Sequence, residues 1–286
     1  MLQSSAAGKP NRRLALTLSK KSALSAYQGE NEMPLFTINS YYSEALKRNL
    51  TANVFLPLET MTASNLKVVT LLHGLCGNQN DWVYNTNALM AAEKAGIALI
   101  LPQSDNGFFI NSYLGNYGDS IIELLDRCVG WFGFSSEAKY HSIAGLSMGG
   151  YGALHTGFRY YNRFSSVGSF SGIVDIIKYM NDYPPTENNK WVYDDMRKLF
   201  DEKTYYGSDL DLLALIKKIP DFKQQNVYIY CGNADHMYET DLALYKIVKK
   251  RFPTSIFEES NQKHNWAAWN YAFERFTVYL KSLEKK

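Results

Sequence analysis

The sequence predicts an α/β fold: a mostly parallel, eight-stranded sheet with helices on both faces, opened by antiparallel strands. Three features lead there. Two strand-like segments stand first, strand and helix patterns then alternate, and a glycine-flanked serine joins one strand directly to a helix. In order, Phe36 to Tyr42 alternates at Phe36, Ile38 and Ser40, and Ala52 to Leu56 follows it. Lys67 to Leu72 and Ile97 to Leu101 are apolar strands with a helix between them, Asn87 to Ala95, closed by Gly96. A helix over Ser120 to Phe132, a strand over His141 to Ala144, a helix over Gly149 to Tyr160 and a strand over Ser166 to Phe170 continue the pattern. Val227 to Cys231, the helix Thr240 to Arg251, Ser255 to Phe257 and the helix Trp266 to Leu283 complete it. The Thr240 helix has Glu239 and Asp241 at its start and Lys249, Lys250 and Arg251 at its end, which suits the helix dipole.

Two stretches depart from this pattern. Residues 1–32 carry Lys9, Arg12, Arg13, Lys20 and Lys21 among Ser and Ala, with no acid before Glu30. They lack a long apolar core and read as an extension, disordered or non-native, ahead of a folded domain over residues 33–286. Residues 175–220, with Pro184-Pro185, several Asn and Asp and a helical Leu210 to Ile219, follow the sixth strand. An insertion there lies above the carboxyl ends of the strands, where open α/β sheets bind ligands. It is expected to form a small cap whose Trp191, Tyr193, Tyr205 and Tyr206 contact substrate; a surface excursion without ligand contact is the alternative.

With 286 residues, 46% hydrophobic and 20% charged, the chain can bury a large single-domain core. A net charge of +2 offers nothing to a polyanion, so neither nucleic acid nor a membrane surface is an expected partner. Oligomeric state stays open, a homo-oligomer included. Cys76, Cys128 and Cys231 are odd in number and widely spaced, which argues for a reducing, cytoplasmic setting and against a zinc site; no metal or other cofactor is expected.

Gly145-Leu146-Ser147-Met148-Gly149 follows the apolar run Tyr140 to Ala144 and precedes a helix. That is the nucleophile elbow of an α/β-hydrolase, where glycines remove the Cβ atoms that would collide around a strained serine. A serine needs a base, an orienting acid and an oxyanion trap, and in this fold acid and then histidine follow the nucleophile. His264, after the last strand and before the terminal helix, is the expected base, and Asp235, past the end of its strand behind Gly232, the expected acid. His236 comes too early and reads as a loop residue; Asp175 is the second-choice acid, and Asp209, Asp211 and Asp241 read as helix-start residues. The amides of Met148 and of Leu75, in the loop His73 to Asn78, are the expected oxyanion donors, with His73 buttressing that loop.

Leu71-Leu72-His73-Gly74-Leu75, Gly77-Asn78, Asp81-Trp82 and Ala144 to Leu154 together resemble the esterase D family, most closely its bacterial tributyrin-esterase branch. Tyr41 to Leu46, Cys231-Gly232 with Asp235, and His264 with Trp266 and Trp269 extend the resemblance from about Met33 to the C-terminus. The family implies a serine carboxylesterase for short acyl esters that uses no cofactor. Its relatives hydrolyse S-formylglutathione, release feruloyl or acetyl groups, or transfer acyl chains. Two departures stand out: Gln262-Lys263 and Asn265 flank the base where the family has Gly and Asp, and Gly115 to Ser120 replaces a Tyr-Trp-Thr stretch. Neither removes a catalytic group. The complete Ser147–Asp235–His264 set argues against a catalytically silent binding module.

Overall fold

The computed structural model describes residues 34–58 and 65–284. The expected extension over residues 1–32 lies outside the described residues. In chain order come β1 (Leu35–Ser43), β2 (Arg48–Phe55), β3 (Lys67–Leu72), α1 (Asp81–Asn85), α2 (Ala88–Ala95), β4 (Ile97–Pro102), the short pair β5 (Asn111–Ser112) and β6 (Gly115–Asn116), and α3 (Tyr117–Phe132). β7 (His141–Leu146), α4 (Met148–Arg159) and β8 (Ser166–Phe170) lead into four short helices: α5 (Ile176–Asp182), α6 (Lys190–Leu199), α7 (Glu202–Tyr205) and α8 (Leu212–Lys218). β9 (Asn226–Gly232), α9 (Tyr238–Arg251), β10 (Ile256–Ser260) and α10 (Trp266–Leu283) close the chain.

Eight strands form one sheet in the order β1-β2-β4-β3-β7-β8-β9-β10. β1–β2 and β2–β4 are antiparallel and every other neighbouring pair is parallel, matching the expected mostly parallel sheet with an antiparallel opening. The alternation of β3 explains the two layers. Val68 and Leu72 face a core shared with α3, α4 and α9, whereas Val69 and Leu71 face a second core shared with α2 and α10. The central strands are buried along their whole length because both faces are covered. Among the described residues no helix is long and apolar enough to cross a membrane.

The segment between β8 and β9 carries four helices where the sequence suggested one. Each is ten residues or fewer, so the apolar signal of each is a few side chains, such as Tyr193, Met196 and Leu199 on α6. The segment docks on α4: Tyr151 Oη donates to Leu210 O at 2.7 Å, and Arg159 pairs with Asp209 at 3.3 Å. Asp175, the second-choice acid, is a helix cap that accepts from Lys178 N, and Asp211 starts its helix as expected, accepting from Leu213 N. Asp241 sits in the first turn of α9, as expected of a helix-start residue, and it is also fully buried, where a dipole-stabilising acid would meet solvent.

Candidate active site

The parallel register brings the site's loops to one edge of the sheet. Gly145 pairs with Leu72 of β3 and with Ser169 of β8, so the loops after β3, β7 and β8 leave side by side at the strands' carboxyl ends. Ser147 occupies the turn between β7 and α4 with φ 51° and ψ −116°, a conformation few L-residues adopt. The turn is tied down on both sides: Ser147 N donates to Phe170 O at 2.9 Å, and Ser147 O accepts from Gly150 N at 2.9 Å. The flanking glycines are sterically required. A Cβ on Gly145 would lie 2.4 Å from Gly149 O, and one on Gly149 would lie 2.5 Å from His73 O.

His264 bridges the serine and the acid. Its Nε2 lies 3.0 Å from Ser147 Oγ, while Nδ1 lies 2.9 Å from Asp235 Oδ2 and 3.2 Å from Oδ1. A hydrogen on Nδ1 donated to Asp235 leaves the Nε2 lone pair to accept from the serine hydroxyl. The imidazole is braced edge-on by Trp269, ring centroids 4.9 Å apart, and Trp266 braces Trp269 in turn at 5.0 Å. Asn265, the departure after the base, caps α10 by accepting from Ala268 N at 3.0 Å, a task its carbonyl does as well as a carboxylate.

Asp235 has a fully buried side chain and takes a second hydrogen bond from Met237 N at 3.0 Å. Burial works to raise its carboxyl, but the hydrogen bond and charge of His264, with the Met237 amide, outweigh it and hold the group below the usual carboxylate range. Beneath lies Asp241, whose carboxyl burial drives far upward, helped by the charge of Asp235. Burial thus favours the protonated form of Asp241, whereas the environment of Asp235 favours the ionised one.

Leu75, in the loop after β3, lines the same cavity as Ser147, and Met148 follows Ser147 at the start of α4. Among the described residues neither amide has a hydrogen-bond acceptor. The loop carrying Leu75 is held by His73, whose Nε2 accepts from Ser104 N at 3.1 Å and whose Nδ1 faces Gly74 O at 2.8 Å. Burial lowers the pKa of His73, keeping it a neutral strut.

Above Ser147 opens a cavity of about 350 Å³ whose lining includes Leu75, Asp81, Ile173, Tyr179, Met237 and Trp266. Trp191, Tyr193, Tyr205 and Tyr206 are not among its lining residues. Tyr193 and Tyr205 are buried in the core that the insertion shares with α4, and Trp191 and Tyr206 face solvent. The aromatic residue of the insertion that does reach the cavity is Tyr179 on α5, which sequence reasoning passed over. Its signal was faint: one tyrosine on a seven-residue helix.

A family model, Esterase, matches residues 43–278 of this chain. The chain belongs to the Esterase family. It is 31% identical to an acetyl esterase of Caldicellulosiruptor saccharolyticus over 256 residues, covering 83% of this chain and 94% of that protein. Two solved structures from Staphylococcus aureus share its fold at 23% identity: an S-formylglutathione hydrolase apoenzyme at TM-score 0.74, and a substrate-bound fluorophosphonate-binding serine hydrolase at 0.76. Each covers 87% of this chain and 99% of its own, and the fold they share is the α/β-hydrolase fold. This esterase is thus a hydrolase acting on carboxylic esters.

Proposed function

We propose that Ser147, His264 and Asp235 hydrolyse short-chain acyl esters through an acyl-enzyme intermediate. The observation that carries this reading is His264 placed between the other two, with 3.0 Å to the hydroxyl and 2.9 Å to the carboxylate. Ser147 Oγ attacks the ester carbonyl as His264 Nε2 takes its proton, and Asp235 stabilises the imidazolium that results. The Leu75 and Met148 amides receive the oxyanion, and their lack of acceptors in the resting protein supports that role. His264 then returns the proton to the leaving alkoxide. In the second half, water gives a proton to His264 and attacks the acyl-enzyme, releasing the carboxylic acid and Ser147.

A cavity of about 350 Å³ with Leu75, Ile173 and Met237 in its wall suits a small apolar acyl group, in line with a tributyrin-esterase type of activity. The cavity also bears on a glutathione thioester as substrate. Its lining includes Asp81 and, among the described residues, no lysine or arginine. A glutathionyl group brings two carboxylates, so a neutral ester is the better fit. Net charge of +2 and three unpaired cysteines accord with a cytoplasmic enzyme acting on small molecules.

Ser147→Ala tests the reading with p-nitrophenyl acetate. Loss of more than about 10³-fold in kcat/KM with an unchanged unfolding midpoint is expected, since the hydroxyl supplies chemistry and little packing. Activity within tenfold of wild type would exclude Ser147 as nucleophile.

A further inference from the structure

Asp235 has two imidazole neighbours, and ester hydrolysis uses one of them. His264 Nδ1 lies 2.9 Å from Oδ2, and His236 Nδ1 lies 3.3 Å from Oδ1. The two rings are 4.9 Å apart, and one donor atom from each of the three residues falls within 4.8 Å of the others. The carboxylate is fully buried, while the His236 and His264 side chains keep 35% and 22% exposure. The group is therefore closed on the acid side, and both imidazoles reach the cavity above Ser147. His236 is also held in place: Tyr183 Oη donates to its carbonyl at 3.2 Å, and the Tyr183 ring packs against the imidazole at 5.1 Å.

We propose that Asp235, His236 and His264 form an inhibitory binding site for a divalent transition metal of the zinc type. The inference rests on the reading of His264 as the catalytic base. Two imidazole nitrogens and one carboxylate oxygen are the donor set such an ion takes, with water in the fourth position, whereas magnesium and calcium require oxygen ligands throughout. Zinc holds N and O ligands at about 2.0–2.2 Å, which places neighbouring donor atoms of a tetrahedron about 3.3–3.6 Å apart. Two of the three edges, both to Asp235 Oδ1, at 3.2 Å from His264 Nδ1 and 3.3 Å from His236 Nδ1, are already close to that spacing. The third closes by a turn of the partly exposed His236 ring.

The consequence for catalysis follows from the tautomer. A metal on His264 Nδ1 displaces the hydrogen that Nδ1 donates to Asp235. The neutral ring keeps one proton, now on Nε2 and pointing at Ser147 Oγ. Nε2 then donates to the serine and no longer accepts its proton, while Asp235 is occupied as a ligand. The nucleophile is left without a base, reversibly, and without any covalent change.

Zinc sulfate titrations of p-nitrophenyl acetate hydrolysis in chelator-free buffer test this, each variant scaled to its own metal-free rate. Wild type is expected to lose activity and recover it with EDTA, and His236→Ala to need at least tenfold more zinc for half inhibition. Cys76→Ser is expected to behave as wild type, which separates this site from zinc capture by the exposed thiol. Calorimetry on Ser147→Ala, which needs no turnover, is expected to show one zinc per chain, and Ser147→Ala with His236→Ala at least tenfold weaker binding. Equal zinc sensitivity of wild type and His236→Ala, loss of inhibition in Cys76→Ser, or no zinc bound by Ser147→Ala would each overturn the site. Failure of the His264 reading would show separately, as a metal-free His264→Ala variant that keeps its activity.

Discussion

Gly232 and Gln262 meet backbone to backbone where the loops bearing the acid and the base cross. A Cβ on Gly232 would lie 2.3 Å from Gln262 O, the same oxygen that accepts from Ala234 N at 3.1 Å. Asn233 N adds a bond to Ser260 O at 2.9 Å. This seam sets the spacing between Asp235 and His264, three and two residues further along their loops.

Gly232→Ala should therefore push the loops apart and lengthen the Asp235–His264 contact. A displacement approaching 1 Å can cost about 100-fold in rate, and forcing a methyl against backbone costs roughly 1–3 kcal/mol of stability. We expect kcat for p-nitrophenyl acetate to fall by one to two orders of magnitude with KM little changed. Wild-type kcat in a stably folded variant would show that the seam does not position the pair.

His264→Ala should lower kcat by about 10³-fold or more, since the base is removed. His236→Ala should cost no more than about tenfold, since its ring contacts Asp235 and not Ser147. Parallel kinetics on the two variants decide between the imidazoles, and the reverse ranking would move the base to His236.

Asp241 offers a prediction in stability rather than rate. Its folded pKa is raised by burial, so the folded protein holds a proton that the unfolded chain releases above about pH 4. That contribution to stability is fully present below the unfolded pKa and is lost as pH rises, at up to about 1.4 kcal/mol per pH unit, until the folded group ionises. Asp241→Asn removes the titrating group. Its stability relative to wild type should improve steadily between pH 5 and pH 8 in urea unfolding. A difference constant across that range would mean that Asp241 does not hold a proton.

All eight strands of the main sheet were legible in the sequence because their segments are short, largely apolar and bounded by turns, and the runs around Val69 and Ile100 are apolar almost without a break. The positions of Ser147, Asp235 and His264 at strand ends were legible for a related reason: chain order and the parallel sheet leave few places for three such groups. The insertion was not. An aromatic side chain in a short helix signals burial without saying against what, so Tyr193 and Tyr205 read as pocket residues in the sequence and fill core in the structure. Tyr179 reaches the cavity because of how α5 leaves β8, and no local pattern records that. The burial of Asp241 was equally hidden, since an acid in a first helical turn normally faces water.

Acyl-chain length should be limited by the cavity. Each methylene that fits contributes up to about 0.8 kcal/mol, and one that does not fit meets steric cost instead. With about 350 Å³ available, kcat/KM over a p-nitrophenyl ester series should peak at acetyl to butyryl and fall steeply by octanoyl. Efficiency rising through decanoyl would indicate an open groove.

The most direct test of the account is the site of covalent capture. Ser147 is the hydroxyl within reach of the His264 imidazole, at 3.0 Å, so a p-nitrophenyl phosphonate should add once per chain. Intact mass and peptide mapping should place the adduct on Ser147, with activity lost in proportion to labelling and no adduct formed in Ser147→Ala. An adduct mapped to another residue, or full activity in protein labelled at Ser147, would contradict the assignment of the nucleophile and the mechanism built on it.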